Sequence, residues 1–189
     1  MANRKVCIHP MIIGLIGYAQ SGKDTVAEIL VSKYGFERRA FADKIRDILY
    51  ELNPMVGGEP LQMRVDVDGW EKAKQHPEVR RLLQKLGVAA RNHISDGVWI
   101  NAGLKGMEPA KQYVISDVRF FNEAAIIKAC GGELWRIERP GIGPVNNHLS
   151  EKEMNNYSAD RTLLNSGTKE ELETLVKLRL DSYLASKNN

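Results

Sequence analysis

Runs of apolar residues and their spacing divide the chain into alternating short strands and helices. Met11-Ile12-Ile13-Gly14-Leu15-Ile16 is an unbroken apolar run of strand length, as expected for a buried parallel strand. Val26, Ile29, Leu30 and Tyr34 then recur at helical spacing up to Gly35. A short strand is predicted over 36–41. A helix carrying Ile45, Ile48, Leu49 and Leu52 follows and stops at Asn53-Pro54. Glycine, proline and aspartate crowd residues 55–69, which read as a mobile insertion. Helical patterning resumes at Trp70, breaks at His76-Pro77, and continues through Leu82, Leu83, Leu86 and Ala90. Another helix is expected from Trp99 to Leu104. Tyr113-Val114-Ile115-Ser116 is a second buried strand, followed by a helix through Ala125, Ile126 and Ala129 that Gly131-Gly132 ends. Leu134 to Ile137 is a third strand, 139–147 a Gly/Pro loop, and Thr162 to Leu164 a last short strand. A final helix carries Leu172, Leu175, Leu178 and Leu184. Strands alternating with helices predict a three-layer α/β fold with a mainly parallel sheet.

Within this pattern, Gly17-Tyr18-Ala19-Gln20-Ser21-Gly22-Lys23-Asp24-Thr25 joins the first strand to the first helix. That is the context a G-x-x-x-x-G-K phosphate-binding loop requires. Glycines let the backbone wrap a phosphate with its N–H groups inward, and the helix N-terminus adds partial positive charge. Lys23 supplies a point charge for the β/γ-phosphates. The usual Ser or Thr after the lysine, which places a hydroxyl on Mg²⁺, is replaced by Asp24, with Thr25 next. Asp24 reads equally as a water-mediated Mg²⁺ ligand and as a first-turn helix acid. Thr25 is a candidate for phosphate or metal contact. The Gly-Lys-x-Thr order resembles the small nucleotide kinases, such as adenylate kinase.

In open parallel sheets ligands sit beyond the carboxyl ends of the strands. Asp117 and Arg119 follow the second strand there, suited to ordering metal-bound water or a substrate hydroxyl and to bridging phosphates. The bland alternative is an Asp–Arg ion pair, with Asn122 or Glu123 capping the next helix. Gln84 and Arg91 lie two helical turns apart and would share a face. The residues alone favour a solvated helix face there.

The chain has 189 residues, 43% hydrophobic and 27% charged, which suits one domain with a sizeable core. A net charge of +3 is too balanced to imply a nucleic-acid or membrane partner. Cys7 and Cys130 lack metal-ligand spacing and fit a reducing cytoplasm, with a disulfide disfavoured. The apolar run from Met11 is too short to span a membrane and does not end like a secretory signal. Residues 1–10 read as a leader to the first strand, and Met11 as an alternative start.

Several blocks together resemble the bacteriophage deoxynucleoside monophosphate kinases. They are Gly22-Lys23-Asp24-Thr25, Phe41-Ala42-Asp43-Lys44-Ile45-Arg46, Leu82-Leu83-Gln84 with Gly87 and Arg91, and Asp96 with Trp99. Ile115-Ser116-Asp117-Val118-Arg119-Phe120 with Asn122-Glu123, His148-Leu149-Ser150-Glu151, and Asn165-Ser166-Gly167-Thr168 complete the set. The likeness runs from about Met11 to the final helix. It implies a P-loop nucleotide-kinase fold whose core is about 11–52 and 110–189, with a helical monophosphate-binding insertion at about 53–109 and a lid at about 139–156.

The resemblance further implies Mg²⁺·ATP at Gly17, Gln20, Ser21, Gly22, Lys23, Asp24 and Thr25, with Asn165 and Gly167 in a turn near adenine. A deoxynucleoside monophosphate would lie between the insertion and the sheet edge, with Lys44, Arg46, Gln84, Arg91, Trp99, Asp117 and Arg119 as its candidates. Trp99 reads either as a base-stacking ring or as core. Lys23, Arg119 and Arg139 would stabilise the migrating charge, Arg139 being better placed than Arg136, which lies within the strand pattern. His148, Ser150 and Glu151 are too close in one loop for a hydrolytic triad and read as a lid hinge. Phe121 stands where the family pattern has proline. The implied product is a diphosphate for DNA precursor supply, made in the cytoplasm (the host's, if the chain is viral). The implied partners are small nucleotides rather than nucleic acid or membrane, and a homodimer is compatible with the sequence. Two rival readings are a P-loop kinase for another small acceptor, of the phosphomevalonate or dephospho-coenzyme A type, and a nucleotide-dependent switch ATPase. A basic insertion with Arg80, Arg81 and Lys85, and the lack of a GTPase-type Asn-Lys-x-Asp, weigh against the switch.

Overall fold

The structure, a computed structural model, describes residues 10–143, 154 and 157–187. Two compact units emerge: 1–40 with 106–189, and 41–105. The second unit begins earlier than the insertion expected from the sequence, because the helix after Ala42 groups with it.

The first unit is built on a five-stranded sheet. Its strands are β1 (Met11–Ile16), β2 (Glu37–Arg39), β5 (Gln112–Ile115), β6 (Glu133–Glu138) and β7 (Arg161–Leu164). The order is β2-β5-β1-β6-β7, and every pairing is parallel. β1 lies at the centre, with Gly14 opposite Ile115 on one side and Leu134 on the other. Covered on both faces, β1 needs a continuous apolar run rather than an alternating one. β2 is shorter than the predicted 36–41, since Phe36 and Phe41 flank it as buried side chains.

Helices α1 (Lys23–Tyr34) and α7 (Lys169–Lys187) flank one core, and α6 (Phe121–Ala129) packs against β1 and β6 on the other side. The main core joins Ile13, Leu15, Val26, Leu30, Trp135 and Ile137 to Leu172, Val176 and Tyr183. Side chains alternate along β1, so Gly14 faces the other way. A Cβ there would lie 2.7 Å from Ile127 Cδ1 and 2.8 Å from Leu134 Cδ2, so glycine lets α6 approach the sheet. Polar groups at the amino end of β6 and β7 are satisfied in place. Glu133 takes a bidentate pair from Arg161 at 2.6 and 3.0 Å and a further bond from Trp135 Nε1 at 2.9 Å. Burial pushes the nearby Tyr183 phenol up to about 12, so it packs as a neutral ring.

The second unit holds α2 (Asp43–Leu52), the hairpin β3 (Met55–Val56) and β4 (Glu59–Pro60), α3 (Leu61–Ala73), α4 (Pro77–His93) and α5 (Val98–Leu104). Leu49, Val56, Leu61 and Val79 form its core, with Val65, Trp70, Leu82, Leu83 and Leu86 packed around them. The predicted irregular insertion at 55–69 is therefore a hairpin and a helix. Only Val56, Leu61 and Val65 anchor it, too sparse an apolar pattern to stand out among glycines and aspartates. Within α3, Gly69 has non-helical dihedrals (φ 71°, ψ 165°), so the helical path restarts at Trp70 as expected. α4 begins as predicted at His76-Pro77, with His76 Nδ1 accepting the Glu78 N–H at 3.3 Å.

Candidate active site at the carboxyl edge of the sheet

Because the five strands run parallel, the residues that follow β1, β5, β6 and β7 leave the sheet at one edge. After β1 the chain turns through Gly17, whose φ is 142°. A Cβ at Gly17 would lie 2.4 Å from the Ile137 carbonyl oxygen and 2.9 Å from Ser21 Oγ, so no larger residue fits. Gln20 takes a left-handed conformation at φ 65°, and Ser21 N–H donates to Tyr18 O at 3.2 Å. Gly22 (φ 105°) is the N-cap of α1, and its carbonyl accepts Val26 N–H at 3.0 Å. The resulting loop lies over the start of α1, where N–H groups lack helical partners and anions bind.

Two features mark this loop as a receptor for an anion. Lys23 Nζ curls over it and donates to Gly17 O at 2.8 Å and Tyr18 O at 2.6 Å, which keeps the ammonium at the loop's rim. Ser21 Oγ is buried, the residue being 1% exposed, and has no hydrogen-bond partner among the described residues. A buried hydroxyl without a partner carries a desolvation cost that a ligand oxygen would relieve.

Asp24 is exposed and Thr25 half-buried in the first turn of α1. No group of three or more His, Cys, Asp or Glu residues able to hold a metal exists among the described residues. Mg²⁺ in nucleotide sites takes one or two protein oxygens and completes its shell with phosphate oxygens and water. The candidate protein oxygens are those of Asp24 and Thr25.

After β5, Ser116 is buried, Asp117 half-buried and Arg119 exposed. The turn is held from below by Glu123. Its Oε2 accepts Arg119 N–H at 2.7 Å and Phe120 N–H at 3.1 Å, and the residue is 5% exposed. Glu123 thus caps the turn into α6 through these two bonds. Phe121 is the first residue of α6, a position where proline is also favoured. Its ring lies 5.9 Å from that of Tyr157.

After β6, the two arginines differ. Arg136 Nη2 donates to Met154 O at 2.8 Å and Tyr157 O at 2.7 Å, an anchoring role, whereas Arg139 is exposed just past the strand. Most of the expected lid, with His148, Ser150 and Glu151, lies outside the described residues, as does Cys7. Cys130 is a free thiol.

After β7, Asn165 is tied to the phosphate loop. Its Nδ2 donates to Ser21 O at 2.9 Å, and its backbone N–H donates to Glu138 O at 2.7 Å. Gly167 sits tight against Glu171, which caps α7 reciprocally with Thr168 (Thr168 N–H to Oε2 2.9 Å, Glu171 N–H to Oγ1 3.3 Å). The pattern Thr-x-x-Glu announced that cap. Nothing local announced the Asn165–Ser21 bond, which joins residues 144 positions apart.

The second unit carries the remaining candidates. Lys44 pairs with Asp47 at 2.7 Å. Arg46 lies 3.8 Å from Asp43 and 3.5 Å from Glu71, with its guanidinium 6.0 Å from the Trp70 ring centroid. Gln84 is exposed on α4, and Arg91 shares its face because the helix is unbroken; Arg91 Nε donates to Asp96 Oδ1 at 3.0 Å. Trp99 is 6% exposed, and its Nε1 donates to Gly87 O at 2.9 Å. Of its two readings, the buried core ring is the one realised, and base stacking by Trp99 is set aside.

A glycine-wrapped loop between a central parallel strand and a helix, with a lysine at its rim, defines a P-loop nucleotide-binding fold. A family model described as deoxynucleotide monophosphate kinase matches residues 62–176. A protein of Acanthamoeba polyphaga mimivirus, named "putative deoxynucleotide monophosphate kinase", is 33% identical over 186 residues, covering 88% of this chain and 94% of that protein. The chain belongs to the deoxynucleotide monophosphate kinase family, and it is a nucleotide kinase. Among solved structures, shikimate kinase from Aquifex aeolicus is similar at 15% identity and TM-score 0.45, over 93% of this chain and 99% of that one. The APS kinase of Mycobacterium tuberculosis is similar at 14% identity and TM-score 0.42, over 92% and 98% of the two chains. No helix among the described residues is long and apolar enough to cross a membrane.

Proposed function

We propose that this kinase moves the γ-phosphoryl group of ATP onto a deoxynucleoside 5′-monophosphate, giving ADP and a deoxynucleoside diphosphate for DNA synthesis. The observation that carries the donor half is the loop 17–25: two glycines that admit no Cβ, an unpartnered buried Ser21 hydroxyl, and Lys23 at the rim. The acceptor half rests on family membership.

In the reaction, an acceptor phosphate oxygen attacks the γ-phosphorus in line. The bond to the β–γ bridging oxygen breaks, and ADP leaves with that electron pair. The protein's part is placement and charge neutralisation. Lys23 leaves its two loop carbonyls for phosphate oxygens, Arg119 and Arg139 neutralise the migrating group, and Asp117 orients substrate or metal-bound water. Asp24 or Thr25 would hold Mg²⁺, which would supply charge screening on the donor phosphates. Lys44, Arg46, Gln84 and Arg91 recognise the acceptor, the arginines offering planar forks to its phosphate. Small nucleotides are the only partners this reading requires.

ADP release from Mg·ATP, measured against dTMP, dGMP, dCMP, dAMP and their ribose counterparts, tests the assignment. Saturable stimulation by at least one deoxynucleotide, with weaker stimulation by the matching ribonucleotide, is expected. ATP binding without stimulation by any member of the panel would overturn it.

A further inference from the structure

Asn165 touches the phosphate loop from the opposite end of the chain. Its Nδ2 donates to Ser21 O at 2.9 Å, while its backbone N–H donates to Glu138 O at 2.7 Å. Glu138 is the last residue of β6 and immediately precedes Arg139. One residue therefore ties the β7–α7 turn, the end of β6 and the crest of the loop together. The fit is close: a Cβ on Gly22 would come within 2.4 Å of Asn165 Nδ2.

The carbonyl that Asn165 holds belongs to the Ser21–Gly22 peptide. A trans peptide is planar, with C=O and N–H pointing opposite ways, so fixing the Ser21 oxygen also fixes the Gly22 N–H. In an anion-binding loop those N–H directions are the recognition element, and they are effective only if set before the ligand arrives. Gln20 and Gly22, on either side of Ser21, both have positive φ, so this crest is the part of the loop least favoured by local conformational preference. An external bond is what such a crest needs.

We infer that Asn165 is a positioning residue for the phosphate loop, presetting the Gly22 N–H for the donor's phosphates through Ser21 O, and is not a reader of the donor's base. This rests on the reading of residues 17–25 as the donor-phosphate site. Its consequence is that Asn165 governs affinity for any polyphosphate the loop accepts, with or without a base attached.

The probe is inorganic tripolyphosphate, which has no base, compared with ATP and GTP by calorimetric titration with Mg²⁺ present. Binding is measured for the wild type, Asn165→Ala and Asn165→Asp. Asn165→Asp keeps the size and the backbone bond to Glu138 but turns an acceptor toward the Ser21 carbonyl. Thermal melting of each variant confirms folding, and Asn165→Asp serves if Asn165→Ala does not fold.

Losing one hydrogen bond predicts that dissociation constants for tripolyphosphate, ATP and GTP rise together, by about three- to tenfold in Asn165→Ala. They rise at least as much in Asn165→Asp, while the KM for the monophosphate acceptor is unchanged. Unchanged tripolyphosphate affinity in both variants would overturn the inference, whether or not the preference for ATP over GTP relaxes. A wild type that binds neither ATP nor tripolyphosphate would instead overturn the donor-site reading beneath it.

Discussion

The phosphate loop and the helical unit solve the problem of holding anions differently. In the loop the geometry is set by backbone: Gly17 and Gly22 have no room for a Cβ, Gln20 is left-handed, and Asn165 pins a peptide from a distant strand end. In the helical unit the candidates are long side chains held by nearby carboxylates, Lys44 by Asp47, Arg46 by Asp43 and Glu71, and Arg91 by Asp96. The carboxylates of these pairs reach solvent, and pairs open to water are weak and readily exchanged for a ligand phosphate. On the proposed assignment, the comparison teaches that a donor site in the loop would be prebuilt and intolerant, whereas an acceptor site in the helical unit would be made of groups that can re-pair. Substitutions should therefore fail in different ways in the two regions.

The largest expected effect is from Lys23→Ala, which should lower turnover by about 10²–10³-fold, the usual scale for removing one charge-stabilising donor. Its melting temperature should stay near that of the wild type, because Lys23 is only part-buried and its ammonium bonds to the carbonyls of Gly17 and Tyr18 at the loop's rim. Near-normal turnover in a steady-state assay would break the donor half of the comparison.

Next, Arg91→Ala should raise the acceptor KM by about tenfold to a hundredfold, from a lost charge-assisted bond to phosphate. The KM for ATP and the melting temperature should barely change, since the Arg91–Asp96 pair is largely exposed at Asp96. A loss of stability instead would recast Arg91 as structural.

Gly17→Ala sharpens the contrast from the other side. With φ at 142° and only 2.4 Å to the Ile137 oxygen, the added methyl must displace the loop. A denaturant titration should show a loss of about 1–3 kcal/mol, together with weakened ATP binding.

Trp99→Phe should give the smallest effect. It removes the bond to Gly87 O from a buried ring, at a cost of about 1 kcal/mol. Acceptor KM should be unaltered for every base. A base-selective change in KM would return Trp99 to the binding site.

The sequence made the first of these regions far more legible than the second. The order strand, Gly-rich turn, Lys, helix is contiguous, so spacing alone places Gly17 to Thr25 at the edge of a parallel sheet. The central strands were readable for a related reason: β1 is covered on both faces and apolar throughout, and β5 and β6 carry the buried runs Tyr113 to Ile115 and Leu134-Trp135 with Ile137. The β3–β4 hairpin was not, because its two-residue strands carry no periodicity and Gly57-Gly58 reads as loop. Trp99 was ambiguous because burial depends on which helix supplies a carbonyl, and Gly87 lies on a different helix. The bond from Asn165 to Ser21 was not legible for the same reason. Ser21 is distant in the chain, and only the sheet order β1-β6-β7 brings the two strand ends within two positions of each other.

The most direct test of phosphoryl transfer follows the phosphorus itself. ATP labelled in the γ-phosphate is incubated with the enzyme, Mg²⁺ and each deoxynucleoside monophosphate in turn, and the products are separated. The label should appear in a deoxynucleoside diphosphate, in amounts equal to the ADP formed. Label recovered only as inorganic phosphate, whatever the acceptor, would show a hydrolase and contradict the account.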